Sequence, residues 1–166
     1  MRRIVPDNGW VMNASPLILY ARISRLDLIE ALAPVLFVPQ KVIDEVRVGL
    51  LKDDSARIAV EWAMSRVIPD AKIPVSVEHW DVGPGESQVI THCIDQKRWA
   101  VLDDSMARRC AKAHNISVIG SLGIVLRAKQ RGAVPKAKPL IYKLKSAGMY
   151  VADELIERCL AAVDEL

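Results

Sequence analysis

Short uncharged apolar runs alternate along this chain with stretches in which apolar residues recur every three or four positions. Trp10-Val11-Met12, Val35-Leu36-Phe37-Val38, Trp99-Ala100-Val101-Leu102 and Ile116-Ser117-Val118-Ile119 are runs of the first kind. Continuous runs this short, bounded by polar or turn residues, read as strands buried on both faces. They stop at Asn13, Pro39, Asp103-Asp104 and Gly120-Ser121.

Helical periodicity fills the intervals. Ala14-Ser15-Pro16 opens the first helix, with the Ser15 hydroxyl as cap and Pro16 in the first turn, and Leu17, Ile18, Tyr20 and Ala21 continue it. Further helices are expected over Leu26 to Leu32, Gln40 to Leu50 and Asp54 to Val67. Ile68 to Val77, broken by prolines, is assigned an edge strand. Gly83-Pro84-Gly85 reads as a turn from which Glu86 opens a helix running to about Gln96. Helices over Met106 to His114, up to Arg131 before Gly132, over Lys138 to Ala147 and over Ala152 to Val163 complete the set. Strands alternating with helices predict the α/β class, a mainly parallel sheet with helices on both faces. One domain is expected over residues 1–166, with its C-terminal helices starting at about residue 136.

Composition narrows the classes. Apolar residues make up 51% of the 166, enough for a buried core, and aromatics only 5%, so the core must be largely Leu, Ile, Val and Ala. No uncharged apolar stretch reaches membrane-spanning length, and Met1 to Asn13 lacks a secretory pattern. The three cysteines, Cys93, Cys110 and Cys159, are odd in number and widely spaced, which predicts reduced, buried thiols in a cytoplasmic protein. His79, His92 and His114 show no zinc-ligand spacing. Apolar residues such as Leu17, Leu28, Ile29, Val60 and Trp62 exceed what one small core needs, which predicts a homodimer.

Charge changes the picture more than composition does. The net charge is only +3, yet Ser105 to Ala152 holds ten Lys or Arg residues and no acid. Such an asymmetry points to a polyanionic partner, with Arg108, Arg109, Lys112 and Arg127 as its candidate contacts, or else to solvated helix faces. In open α/β sheets ligands bind beyond the carboxyl ends of the strands. Asn13, Asp103, Asp104 and Ser121 stand at such ends, Glu86 at a helix start, and Glu45 in an otherwise apolar helical repeat. Singly, each acid can be a helix cap or a surface charge. Gathered on one rim they would repel one another unless a cation intervened, and Mg2+ or Mn2+ prefers such oxygen ligands. An acidic pit beside basic residues suits metal-assisted hydrolysis of a phosphodiester.

Several motifs carry a resemblance. Asn13-Ala14-Ser15-Pro16-Leu17-Ile18, Val42-Ile43-Asp44-Glu45-Val46, Gly83-Pro84-Gly85-Glu86-Ser87 and Leu102-Asp103-Asp104 with Ala107, Arg108 and Ala111 resemble the four successive motifs of PIN-domain proteins. Gly120-Ser121-Leu122-Gly123-Ile124 with Ala128-Lys129 and Gly132 resembles a prokaryotic subgroup of PIN-like proteins, as does the pattern from Leu140 to Leu155. The resemblance spans about Val11 to Leu160. It implies a three-layer α/β/α sandwich and a Mg2+- or Mn2+-dependent ribonuclease acting on RNA. Many such proteins are toxins paired with an antitoxin protein, and many are dimers. By position, the resemblance makes Glu45, Glu86, Asp103 and Asp104 the catalytic acids, with Asn13, Glu86, Asp103 and Asp104 around the metal and Ser15 and Ser121 supporting them. Asn13 departs from the family pattern, which has Asp at that strand end; an amide still offers one oxygen but no charge.

Two other readings compete. One is a catalytically weak or inactive PIN-like domain that binds nucleic acid or a partner protein. The other is a receiver-like domain, which needs its acid pair after an early strand, whereas here Asp103-Asp104 comes late.

Overall fold

The computed structural model describes residues 9–49 and 53–166. Most of the N-terminal segment read above, residues 1–8, and the expected helix end at Leu50 lie outside the described residues. Among the described residues five strands form one sheet: β1 (Trp10–Met12), β2 (Leu36–Pro39), β3 (Val67–Ile68), β4 (Trp99–Val101) and β5 (Val118–Ile119). Their order is β3-β2-β1-β4-β5, and every neighbouring pair is parallel. Trp10 lies opposite both Leu36 and Trp99, and Val101 opposite Ile119. The runs are short and unbroken because the central strands are covered on both faces: Val11, Met12, Ala100, Val101 and Leu102 are wholly buried.

Among the described residues the helices are α1 (Ala14–Arg22), α2 (Leu26–Leu32), α3 (Gln40–Val48), α4 (Asp54–Met64), α5 (Val75–Glu78), α6 (Pro84–Cys93), α7 (Ser105–Ala113), α8 (Ser121–Gln130), α9 (Lys138–Ser146) and α10 (Asp153–Ala162). α6 lies across β1, β2 and β4 beside α7, while α1 gathers α2, α3, α4 and α8 around it. The result is the expected α/β/α sandwich. From β1 the chain crosses to β2 on one side and later returns to β4 on the other. The strand order therefore reverses between β1 and β4, which opens a crevice just beyond Met12 and Val101.

Some boundaries differ from expectation. α4 stops at Met64, and the edge strand is only Val67–Ile68; Val75 onward is a helical turn. Gly83-Pro84-Gly85 is not a turn ahead of a helix. Gly83 is the cap and Pro84 the first residue of α6, a position where a missing N–H costs nothing. α6 also ends at Cys93, earlier than Gln96. Cys93 and Cys110 are buried, but Cys159 is only half-buried. Leu17, Leu28 and Ile29 lie inside the core, and Val60 and Trp62 pack against it. Trp62 donates its indole N–H to Glu30 and carries Arg66 over its ring at 4.1 Å. These five residues therefore pack within or against the protomer's own core. No helix among the described residues is long and apolar enough to cross a membrane.

The chain's end is tied back. The Glu165 side chain is 2% exposed and accepts the N–H groups of Ala137 and Lys138, at 2.6 and 3.0 Å, where α9 begins. Lys129 pairs with it at 3.3 Å. This clip fixes α9 and α10 against α8, which completes one wall of the cleft described next.

Candidate functional site

The crevice between β1 and β4 receives Asn13 from one strand and Asp103 from the other. Asp103 is held by its surroundings. Its Oδ1 accepts the Ser121 backbone N–H at 2.7 Å, and its Oδ2 accepts the hydroxyls of Ser121 at 2.6 Å and Ser15 at 3.1 Å. Asp103 thus meets the first N–H of α8, where the helix dipole and unsatisfied donors favour a negative group. Tyr20, wholly buried on α1, donates its hydroxyl to the Ser121 carbonyl at 2.7 Å. Burial pushes the Tyr20 phenol well above its ordinary range, and the charge of Asp103 pushes it further the same way. Strand end, α1 and α8 are in this way locked to one carboxylate.

Asp104 does something different. Its Oδ2 accepts the Ala107 N–H at 2.9 Å, which makes it the cap of α7. Ser15 is not the cap of α1, contrary to expectation, because its hydroxyl points to Asp103 instead. Asn13 stands at the cap position, yet its side chain makes no capping bond. Its Oδ1 is buried with no hydrogen-bond partner among the described residues. An orphaned buried carbonyl oxygen costs about 1–3 kcal/mol, so a cationic or protic partner at this spot would be stabilising.

Glu86 is the third residue of α6 and accepts the Gly83 N–H at 3.0 Å. Burial raises its carboxyl pKa; the Gly83 bond opposes this, while the charges of Asp104 and Glu45 add to the rise. Glu45 accepts the Gly85 N–H at 2.9 Å, and a Cβ at residue 85 would collide with its carboxylate, which would have to swing away and give up that bond. The raised Glu86 pKa has a stability consequence. Since its folded pKa lies above the unfolded one, the penalty is absent below the ordinary carboxylate pKa and fully present above the folded one. Glu86→Gln is therefore expected to raise the melting temperature of metal-free protein at neutral pH, with the gain fading as pH falls toward 4.5. A gain independent of pH would mean that the effect is packing, not charge.

Asn13, Ser15, Glu86, Asp103, Asp104 and Arg108 line one cleft of about 950 Å³. Arg108 donates to the Leu102 carbonyl at 2.8 Å, and its guanidinium lies against Gly120 beside Asp103. Glu45 stands behind this rim, joined to it through Gly85 and Glu86. Among the described residues, no three His, Cys, Asp or Glu side chains converge closely enough to enclose a metal ion by themselves. The donors are nonetheless all oxygen, and the orphaned Asn13 Oδ1 adds one that is neither His, Cys, Asp nor Glu. The set therefore fits a hard divalent cation that keeps several waters.

The basic residues do not form one face. Arg109 and Lys112 are exposed on α7, near the cleft's Arg108. Arg127 is elsewhere: it stacks over Trp99 at 4.7 Å and shares a hollow with Trp10 and Arg131, at the amino ends of β1 and β4. It cannot share the rim with Arg108, as the charge pattern had suggested. Lys129 is engaged with Glu165, and Lys145 with Asp153 at 2.6 Å. Sequence reasoning missed Tyr20, whose phenol on an apolar helix face needs a buried partner. It also missed the cleft's second, apolar half, built by Leu122, Leu126, Met149, Val151, Leu155 and Cys159.

No curated protein matches the chain significantly. A family model described as a PIN domain matches residues 9–165, almost the whole chain. With this match, the parallel sheet and the polar strand ends in view, the chain belongs to the PIN-domain family, a family of nuclease type.

Proposed function

We propose that this protein is a metal-dependent ribonuclease whose reacting phosphodiester sits at the crevice between β1 and β4. The observation that carries this reading is the buried, unpartnered Oδ1 of Asn13 in the cleft that Asp103 and Glu86 also line. Asp103, Asn13 and Glu86 are the residues that would hold Mg2+ or Mn2+. A bound cation there supplies Lewis acidity toward a phosphate oxygen and a more acidic water. Ser15 and Ser121 orient Asp103, and Asp104 fixes the start of α7. Glu45 braces the start of α6 through Gly85. Arg108 brings positive charge into the cleft, and Arg109 and Lys112 are placed to hold flanking backbone phosphates. Purified protein is expected to cut RNA in Mn2+ and to stop in EDTA. Intact RNA under every metal tested would sink the proposal.

A second reading is favoured by the neutral Asn13 and by the absence of a three-acid group among the described residues. It is a PIN-like domain that binds RNA, or a partner protein, without cutting. RNA binding that survives EDTA with no cleavage would identify it. A role as the toxin of a toxin–antitoxin pair, a cytoplasmic location and a homodimer belong to the same proposal; the family supports the toxin role and the dimer, and the free cysteines support the location.

A further inference from the structure

The cleft that begins at Asp103 does not end at the acids. Its far wall is apolar: it is lined by Leu122 and Leu126 from α8, by Met149 and Val151 from the strap that leads into α10, and by Leu155 from α10 itself. Tyr150 stands on that strap, lines the cleft and is fully exposed, at 104%. The strap is held at both ends. Arg22 donates to the Ala147 carbonyl at 2.9 Å, and Lys145 pairs with Asp153 at 2.6 Å. Gly148, at φ +117°, makes a turn that a side chain would strain. A residue that lines the same cleft as the polar strand ends thus carries a fully solvated aromatic ring, on a segment anchored at both ends.

We infer that this apolar half is a nucleobase subsite, and that Tyr150 is the platform on which an unpaired base next to the reacting phosphate stacks. The inference rests on the ribonuclease reading above and adds to it a place for the base beside the reacting phosphate. Three features favour a base as the occupant. The cleft volume of about 950 Å³ falls in the range of small-ligand sites, roughly 300–1,000 Å³, with mainly apolar walls and a few polar groups. The two halves are continuous, so a phosphate drawn to the Asp103 end carries its own base toward the apolar end. A fully solvated ring gains contact area from any base, since every base has a π-face. Duplex RNA keeps its bases stacked and cannot offer one.

The test is binding by the full chain, measured by fluorescence anisotropy at low temperature in Mn2+, with RNA integrity checked on gels. The probes are a short single-stranded oligoribonucleotide and the same strand made abasic throughout. Tyr150→Ala is expected to weaken binding of the base-bearing strand about 5-fold or more, the lower end of base–aromatic stacking. The abasic strand should bind wild type and Tyr150→Ala alike, and Tyr150→Phe should bind like wild type. The salt dependence should not change, because Tyr150 touches no phosphate in this scheme. Tyr150 is fully exposed, so these substitutions remove no buried contact, and a melting curve checks that the fold is kept. If Tyr150→Ala binds the base-bearing strand as wild type does, or if wild type binds the abasic strand equally well, the subsite is overturned while Mn2+-dependent cleavage can stand. The same holds if Tyr150→Ala disrupts only self-association or capture of a protein. If wild type neither binds nor cuts either strand, the subsite and the ribonuclease reading fall together.

Discussion

Asp103→Asn is expected to lower Mn2+-dependent RNA cleavage by on the order of 10²–10³-fold, the size of losing one preorganised electrostatic group, while the fold survives. The geometry separates the two effects. The amide oxygen can still accept the Ser121 N–H, now at 2.7 Å. The Ser15 and Ser121 hydroxyls can rotate to accept from the new NH₂ instead of donating. What goes is the negative charge in the crevice. Asp103→Ala would be a poorer test, because it strands the N–H and hydroxyl of the wholly buried Ser121, at about 1–3 kcal/mol each. Asp104→Asn is the matched control. Asn caps a helix about as well as Asp, so α7 should keep its start and cleavage should change little. Single-turnover cleavage and thermal melts on the three proteins decide the matter. Normal rates in Asp103→Asn with a dead Asp104→Asn would reverse the assignment.

That distinction between adjacent acids was invisible in the sequence, and the reason is tertiary. Both residues follow β4, and either could have capped α7. Only the position of α8, brought alongside by β5, gives Asp103 the Ser121 N–H and leaves the α7 cap to Asp104. The sheet itself was legible. Parallel strands buried on both faces leave continuous apolar runs such as Trp99 to Leu102, and the strand-end rule then brings Asn13, Asp103 and Ser121 to one rim. The edge strand was not, because two residues beside Pro69 carry no period to read. Nor was the spread of basic charge. α8 has ten residues and spans about 15 Å, so it carries Arg127 from the carboxyl to the amino end of the strands. Clustering along the chain is therefore not clustering in space. The apolar half of the cleft depends on where Met149 to Leu155 docks, which no local pattern states.

Asn13→Asp tests the departure of this chain from the family pattern, and it should act in opposite directions with and without metal. Asn13 is 6% exposed, and its Oδ1 has no donor among the described residues. A carboxylate placed there without a cation would be desolvated in the same crevice as Asp103, and like charges and burial both disfavour ionisation. The metal-free variant should therefore melt below wild type at neutral pH and recover as the pH falls and the new acid protonates. A divalent cation reverses the balance, because each added carboxylate offsets part of the cost of dehydrating the ion. Affinity for Mn2+ or Mg2+ should rise, and cleavage with it, by about 10-fold, which corresponds to about 1.4 kcal/mol. The gain should be larger for Mg2+, which has the stronger preference for charged oxygen ligands. The measurements are melting curves across a metal titration and cleavage rates on the two proteins side by side. A metal-induced rise in melting temperature that is the same in wild type and Asn13→Asp, with equal rates, would remove residue 13 from the metal site. The crevice would then have to work through Asp103 and Glu86 alone.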